Sequence, residues 1–350
     1  MTTQKTSTGT FKKFIIALAI IVVIALGGTL LFYYLKYFGP NVTDNEKYLY
    51  IRTGEGYDQV YSKIREEGIV KDTANFNWAA HNMKYAYNVK PGRYRLTPGM
   101  SNRKFINMLL AGNQEAVNLS FRGLRLKEQF AGFLAKKLEP DSTAFIRLMD
   151  SAEFAKQYGF TTDNIYTVFM PDTYDIYWNT TPEKFFKRMY DHYKNFWTAE
   201  RKQKAEAINL TPVQVSILAS IVDGEALHDD EMPTIAGLYL NRLKKGQKLE
   251  SDPTVIFAIG DFNIRRVLNR DKVYNSPYNT YLHTGLPPGP VMMPSVNAIN
   301  AVLNYKPSDY IYMCAKEDFS GYHNFANNLA DHMVNARKFQ HALDQRNIKR

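Results

Sequence analysis

The longest apolar stretch of the chain runs from Phe14 to Leu35 and contains no charged residue. A helix needs roughly twenty such residues to cross the hydrocarbon layer of a membrane. A cleaved signal peptide would be shorter and would end in small residues, whereas residues 32–38 are bulky. The pattern therefore predicts an uncleaved transmembrane helix over 14–35, with interfacial aromatic residues at its end.

Charges on either side of this helix predict its orientation. Three lysines and no acidic residue precede it, whereas Asp44 and Glu46 follow soon after Lys36. Because cytoplasmic flanks carry the excess of positive charge, residues 1–13 are predicted to be cytoplasmic. The chain beyond the helix is predicted to lie on the opposite side of the membrane.

Turn residues and mixed periodicities divide the rest of the chain. Gly39 and Pro40 open a segment rich in turn formers, so residues 36–47 are predicted to be a linker. Strand-like and amphipathic helical stretches then alternate along the sequence. We therefore predict an α+β protein, with a small α/β module at 48–117 and a larger α+β domain at 118–345.

A weak internal repeat supports part of this division. At a shift of seventy positions, Leu49, Arg52 and Gln59 recur as Leu119, Arg122 and Gln129. Neighbouring apolar positions match as well. The repeat predicts a second strand–helix unit at Asn118–Leu138.

A buried helix is predicted to start at Pro212, because Thr211 is a good N-cap and the apolar run 213–222 follows. At about 3.6 residues per turn, Glu225 shares the face of the last apolar residues. Burial there would raise the pKa of Glu225 and keep it protonated as a general acid. The alternative is a glutamate that frays into solvent. Asp223 lies on a less apolar face and is the weaker candidate.

Other polar residues occur in short motifs with turn chemistry. Asp252 precedes Pro253, so it is predicted either to orient a sugar hydroxyl or to cap a helix. A turn-rich segment and a His/Asn segment offer the amide, hydroxyl and aromatic groups that carbohydrate sites need. The predicted substrate-binding residues are Asp252, Tyr278, Asn279, Thr280, Tyr281, His323, Asn328 and His332.

Composition excludes several kinds of site. The single cysteine, Cys314, rules out a disulfide framework within the chain and cysteine-cluster zinc sites, and is predicted to be buried and inert. His323 and His332 are nine positions apart, which fits no common zinc signature, so no metal or other cofactor is predicted. The formal net charge of +10 suits anionic lipid or an acidic wall polymer, since an exported domain seldom meets nucleic acid. The alternative is that the charge serves solubility alone.

Four motifs, in this order, resemble the endolytic murein transglycosylase family, also called YceG-like. They are Leu218–Glu225, Glu250–Val255, Tyr278–Tyr281 running into Gly285–Pro290, and Gly321–His332. Glu225 matches the single glutamate to which the family assigns catalysis, although Val-Asp-Gly-Glu stands where the family commonly has Val-Glu-Lys-Glu. The resemblance also implies that the module at 48–117 is LysM-like, a small fold associated with glycan binding.

The resemblance implies a membrane-anchored lytic transglycosylase that cuts nascent peptidoglycan strands between N-acetylmuramic acid and N-acetylglucosamine. It would leave 1,6-anhydromuramyl ends without water or a cofactor. It would end glycan polymerisation on the periplasmic side of the inner membrane, beside wall synthases of the penicillin-binding protein class. Two other interpretations stay open: a non-catalytic peptidoglycan-binding scaffold and a metal-dependent hydrolase.

Overall fold

The computed structural model describes residues 8–43 and 47–346. Residues 1–7 of the predicted cytoplasmic segment and 44–46 of the predicted linker lie outside the described residues. The chain forms two compact units, of which unit 1 comprises Met1–Val117 and Tyr177–Asn179, and unit 2 comprises Asn118–Ile176 and Thr180–Arg350. Both units contain helices and strands, so the predicted α+β class is confirmed.

A long apolar helix begins the described part of the chain. This helix, α1, spans Thr8–Phe38 and extends beyond the predicted 14–35 at both ends. Its segment Phe11–Phe38 is long and apolar enough to cross a membrane, and the rest of the protein buries none of its most apolar eighteen-residue window. These properties are consistent with the predicted single-pass anchor.

The described part of the predicted linker is packed against the rest of unit 1. Its first three residues belong to α1. Asn41 is only 4% exposed, and its backbone carbonyl accepts a hydrogen bond from the Lys71 amide at 2.7 Å. The Val42 amide donates to the Met100 carbonyl at 3.0 Å. The segment is therefore not a free linker. Its backbone hydrogen bonds are made with other residues of unit 1, whereas those of a free linker would be made with water.

The remainder of unit 1 is a small module of helices and two antiparallel strands. β1 and β2 pair so that Tyr50 lies opposite Arg93. Alternate residues of β2 are buried, which is the pattern of a strand with one face on a core. The elements are β1 (Lys47–Ile51), α2 (Tyr57–Glu66), α3 (Thr73–Asn82), β2 (Gly92–Leu96) and α4 (Asn102–Ala111).

A second strand–helix unit follows, as the internal repeat predicts. The strand β3 (Val117–Phe121) and the helix α5 (Lys127–Ala135) begin seventy residues after β1 and α2. Gln59 and Gln129 cap the two helices alike, accepting from the Gly56 amide at 3.0 Å and the Leu126 amide at 3.3 Å. β3 pairs with β4 (Asp172–Ile176).

The rest of unit 2 is mainly helical and includes one further antiparallel pair of strands. In that pair, Ala315 lies opposite His323. The elements are α6 (Ser142–Met149), α7 (Ala152–Gln157), α8 (Pro182–Phe196), α9 (Ala199–Ala207), α10 (Pro212–Glu225), α11 (Met232–Lys244), α12 (Asp252–Ile259), α13 (Val296–Leu303), β5 (Tyr312–Ala315), β6 (His323–Ala326) and α14 (Leu329–Gln345). α10 is central, since it packs against α9, α11, α12 and α13.

Candidate functional site

Helix α10 carries Glu225 at its C-terminal end. Its start agrees with the prediction, because Thr211 Oγ1 accepts from the Gln214 amide at 3.2 Å while Gln214 Oε1 accepts from the Thr211 amide at 2.8 Å. Every residue from Val215 to Val222 is buried. The helix ends after Glu225 because Ala226 is extended, with φ −82° and ψ 127°. The buried helix thus fixes the position of the last carboxyl group.

Two hydroxyl groups hold the Glu225 carboxyl group. Tyr239 Oη donates to Glu225 Oε1 at 2.8 Å, and Ser251 Oγ donates to the same oxygen at 2.6 Å. No hydrogen bond from the described residues reaches Oε2. Since Oε1 accepts both bonds, the proton of the neutral acid belongs on Oε2.

The surroundings of Glu225 favour its neutral form. Burial raises the pKa of this carboxyl, and the negative charge of Asp252 acts in the same direction. The hydrogen bonds from Ser251 and Tyr239 oppose the shift but do not reverse it. Burial also raises the pKa of Tyr239 well above its usual value, so its hydroxyl stays a donor. Burial thus acts on the pKa of Glu225 in the direction that the sequence predicts.

A close approach of α12 to the end of α10 brings Ser251 to Glu225. A Cβ atom added to Gly224 would lie 2.9 Å from Pro253 Cβ, which is closer than real side chains pack. The Ser251 amide donates to Thr280 Oγ1 at 3.0 Å, which fixes the backbone of Ser251. The serine hydroxyl then donates to Glu225. Glycine at 224 thus allows the contact, and Thr280 orients it.

A second carboxyl group lies at the start of α12. Asp252 Oδ1 accepts a hydrogen bond from Tyr281 Oη at 2.7 Å. Burial raises the pKa of Asp252, while the Tyr281 hydrogen bond and the charge of Lys272 oppose that shift. The Lys272 ammonium lies 4.7 Å from the Tyr281 ring centroid. Asp252 is the first residue of α12, and its side chain is held by a tyrosine.

Two histidines complete the polar lining. His323 is held by Glu231, whose Oε2 lies 2.8 Å from His323 Nδ1 and whose Oε1 accepts from the His323 amide at 2.8 Å. His332 stacks on Tyr312 with ring centroids 5.0 Å apart. Burial and the charge of Arg242 lower the pKa of His332, so it is neutral at physiological pH.

These side chains surround a pocket of about 670 Å³ within unit 2. Its size is that of a ligand-binding cleft. The predicted residues that line it are Glu225, Asp252, Tyr281, His323 and His332. Cys314 of β5 also lines the pocket, so the thiol is half-buried rather than buried as predicted, although burial raises its pKa and makes it less reactive.

Four predicted substrate-binding residues do not line the pocket. Asn279 is fully buried, and its side-chain amide donates to the carbonyls of Lys272 and Tyr274. Thr280 is 2% exposed and supports Ser251. Tyr278 packs on Phe257 at a separate, smaller cleft.

The fourth of these residues is Asn328. Its side chain accepts from the Asp331 amide at 2.9 Å and so caps α14. It therefore lies before the helix that carries His332. The side chains of Asn279, Thr280 and Asn328 form hydrogen bonds with the protein's own backbone. Residues typical of turns often do so, and the sequence motif alone does not distinguish this role from contact with a ligand.

The site also contains residues that the sequence did not single out. Tyr239 and Ser251 bind Glu225 directly, and Glu231 holds His323. Arg242 lines the pocket as well and donates to the carbonyls of Lys248, Leu249 and Ile311. Only Ser251 had a signal in the sequence, since it lies inside the motif around Asp252.

Asp223 is placed differently from Glu225. Its Oδ2 accepts from the Ser295 backbone amide at 2.7 Å, next to the start of α13. Burial raises the pKa of Asp223, and the Ser295 amide opposes that shift. Asp223 does not line the pocket. Within residues 8–43 and 47–346, no group of three or more His, Cys, Asp or Glu side chains is arranged to hold a metal ion.

Comparisons with known proteins agree on one family. A sequence model of the YceG-like family matches residues 49–338. The endolytic murein transglycosylase of Bacillus subtilis (strain 168) is 27% identical over 291 residues, which covers 77% of this chain and 78% of that protein. The protein of the same name from Streptococcus pneumoniae (strain R6) is 27% identical over 358 aligned positions, covering 92% of this chain.

The chain spans 64% of the length of that streptococcal relative. Among solved structures, a YceG-like protein of Listeria monocytogenes superimposes with a TM-score of 0.56 at 22% identity. The superposition covers 83% of this chain and 98% of that one. This likeness extends the agreement from sequence motifs to the fold.

Proposed function

The chain belongs to the YceG-like family, and we propose that it is a lytic transglycosylase that cleaves the glycan strands of peptidoglycan. The observation that carries the proposal is the state of Glu225. Burial raises the pKa of its carboxyl group, two hydroxyls donate to Oε1, and Oε2 is left to carry the proton of the acid form. A group of this kind at a pocket is a general acid. The relatives named endolytic murein transglycosylase supply the substrate class.

The first chemical step is proton transfer from Glu225. Oε2 gives its proton to the glycosidic oxygen between N-acetylmuramic acid and N-acetylglucosamine, and the bond from that oxygen to the muramyl C1 breaks. Negative charge then develops on the carboxylate while Tyr239 and Ser251 still donate to Oε1. Donors fixed before the reaction stabilise such charge without reorganisation.

The second step closes a ring on the same sugar. The muramyl C6 hydroxyl attacks C1, and the Glu225 carboxylate accepts the proton that the hydroxyl loses. The product is a 1,6-anhydromuramyl end, the enzyme returns to its protonated state, and no water is consumed. One carboxyl group therefore serves as acid and then as base, whereas an ordinary glycosidase divides these tasks between two.

The second pocket carboxyl then has a binding role. Asp252 is fixed by Tyr281 and cannot turn freely. A fixed carboxylate and the adjacent rings of Tyr281 and Tyr312 suit sugar hydroxyls and sugar faces. His323 and His332 line the same pocket and complete the proposed glycan contacts.

The remaining parts of the proposal concern location and partners. α1 is proposed to anchor the protein in the inner membrane, with the N-terminus in the cytoplasm and the chain beyond α1 on the periplasmic side. The enzyme is proposed to terminate nascent strands beside wall synthases of the penicillin-binding protein class. The module at 48–117 is proposed to be LysM-like, which its separate core of strands and helices supports.

Mass analysis of digested glycan strands tests the activity. Full-length protein in detergent should convert uncrosslinked strands to products with anhydromuramyl ends. In water enriched in oxygen-18, these ends should carry no heavy oxygen. Reducing ends that contain oxygen-18 would identify a hydrolase instead. Strands that bind but stay intact would support the non-catalytic scaffold.

A further inference from the structure

A second pocket, in unit 1, lies where α1 ends. Its volume is about 720 Å³, and its lining includes Phe38, Ser101, Arg103, Lys104, Asn107 and Met108. No part of the proposed reaction uses these residues. Basic, polar and apolar groups meet in this pocket, and this mixture differs from the carboxyl-rich lining around Glu225.

The level of this pocket relative to a membrane follows from α1. The apolar segment Phe11–Phe38 has 28 residues, whereas about twenty cross the hydrocarbon layer. Its last turns therefore reach the headgroup layer. Phe32, Tyr33 and Tyr34 are 55%, 47% and 58% exposed, as expected of interfacial aromatic residues.

Several contacts fix helices α3 and α4 to the end of α1. Trp78 of α3 lies against Tyr33 and Tyr37, with ring centroids 5.7 Å and 5.1 Å apart. Asn102 Nδ2 donates to the carbonyl of Lys36 at 3.0 Å. Trp78 thus shares the level of an interfacial tyrosine, and the start of α4 is tied to the last turn of α1. With α1 across a membrane, these contacts would hold the pocket at the membrane surface.

The charges in the pocket suit a phosphate group. The Arg103 guanidinium lies 5.0 Å from the centroid of the Phe38 ring, and Lys104 is the next residue of α4. Both side chains are exposed, and no carboxylate of the described residues lies within salt-bridge distance of either. Arginine and lysine are the usual partners of phosphate oxygens.

From this arrangement we propose that the pocket binds the phosphate of an anionic phospholipid in the leaflet where α1 ends. Phe38 and Met108 provide an apolar wall beside the charges, which suits the glycerol and first methylene groups of a lipid. An acidic wall polymer offers charge but no such apolar part. The bound headgroup would hold unit 1 against the bilayer. The inference rests on the anchoring role of α1 and not on the transglycosylase chemistry.

Native mass spectrometry of the full-length protein in detergent tests the proposal. Phosphatidylglycerol and phosphatidylcholine are offered separately to the parent and to the double variant Arg103→Gln/Lys104→Gln. The matched control is Lys136→Gln/Lys137→Gln, which removes two adjacent exposed lysines from unit 2. We expect the parent and the control to retain phosphatidylglycerol over phosphatidylcholine. The double variant should lose retention by roughly fivefold per removed charge.

Three outcomes would overturn the proposal. The first is equal retention of the two lipids by the parent, and the second is undiminished phosphatidylglycerol binding by the double variant. The third is displacement of the lipid by inorganic phosphate at a matching concentration, which would identify a free-phosphate site. Anhydromuramyl formation by the same samples is measured in parallel and should be unaffected by the double variant. A failure of the lipid site is thereby distinguished from a failure of the proposed activity.

Discussion

The last turn of α10 presents two carboxyl groups, two residues apart, on opposite sides of one helix. Burial raises the pKa of both Asp223 and Glu225. Asp223 accepts a hydrogen bond from a backbone amide, whereas Glu225 accepts from two side-chain hydroxyls and borders the pocket. Burial alone therefore does not distinguish an acid catalyst from a structural carboxyl. Access to the pocket does.

The two sides also differ from the pattern in the sequence. The face of Asp223 was predicted to be the less apolar one, and it carries Ser216 and Ser220, yet both serines are fully buried. Ser220 Oγ accepts from the Val291 amide at 3.0 Å, so a loop covers this side of the helix. The other side is buried as well, and only its end at Glu225 borders the pocket.

The largest effect is expected from Glu225→Gln. Glutamine retains an oxygen that accepts from Tyr239 and Ser251, but it has no transferable proton. Anhydromuramyl formation should fall by at least roughly a hundredfold, as expected when a general acid is lost. Product formation is measured by mass analysis, and thermal melting confirms that the variant is folded. A normally melting variant that works at nearly the parent rate would rule out the single-glutamate mechanism.

A smaller loss is expected from Tyr239→Phe, which removes one of the two donors to Oε1. A hydrogen bond to a developing charge contributes enough that the rate should fall roughly tenfold. The Tyr239 bond lowers the pKa of Glu225, so its removal should raise that pKa further. Because the protonated acid is the active form, the alkaline limb of the rate profile should move to higher pH.

The control for this variant is Tyr305→Phe, which removes a hydroxyl from a tyrosine outside the pocket. It should leave both the rate and the pH profile unchanged. If Tyr239→Phe lowers the rate without moving the alkaline limb, the tyrosine acts on packing and not on the protonation of Glu225.

His323→Ala should have a moderate effect, which acts through stability as well as through the proposed glycan contact. Glu231 is 7% exposed and would lose its side-chain partner, keeping the backbone amide of residue 323. An unsatisfied buried acceptor costs about 1–3 kcal/mol, which thermal melting would detect. Excess chelator should leave the rate of the parent unchanged. Rate loss on chelation that zinc restores would favour the metal-dependent hydrolase.

The sequence was sufficient for features that depend on neighbours along the chain. The cap at Thr211, the position of Glu225 after an apolar run, and the strand–helix repeat follow from local pattern and are present in the structure. The same local logic suggested glycan contacts for Asn279 and Thr280. It could not show that their side chains are used within the fold, because their partners are backbone groups of the surrounding loops.

Contacts between elements that are far apart in the sequence could not be predicted from local patterns. Tyr239 comes from α11 and Ser251 from the start of α12, and they meet at Glu225 only because the helices pack closely at Gly224 and Pro253. No periodicity in the sequence encodes that approach. Which side of α10 a loop covers is likewise a result of tertiary packing.

The smallest effect is expected from Asp223→Asn, the matching change on the other side of α10. Asparagine keeps an oxygen that can accept from the Ser295 amide, so anhydromuramyl formation should stay within about threefold of the parent, the cost of a weakened hydrogen bond. A loss as large as that of Glu225→Gln would make Asp223 the catalytic acid and remove the distinction between the two sides.

Stability as a function of pH sharpens this last comparison. The folded-state pKa of Asp223 is raised, so its contribution to stability is fully present below the unfolded pKa of about 3.9 and is lost as pH rises through the folded pKa. Asparagine cannot ionise and has no such loss. The variant should therefore melt at or above the parent temperature at neutral pH, and the difference should shrink towards about pH 4. Lower stability of the variant at neutral pH would mean that the Ser295 amide requires the ionised carboxylate, and that burial is not the dominant influence on this side of the helix.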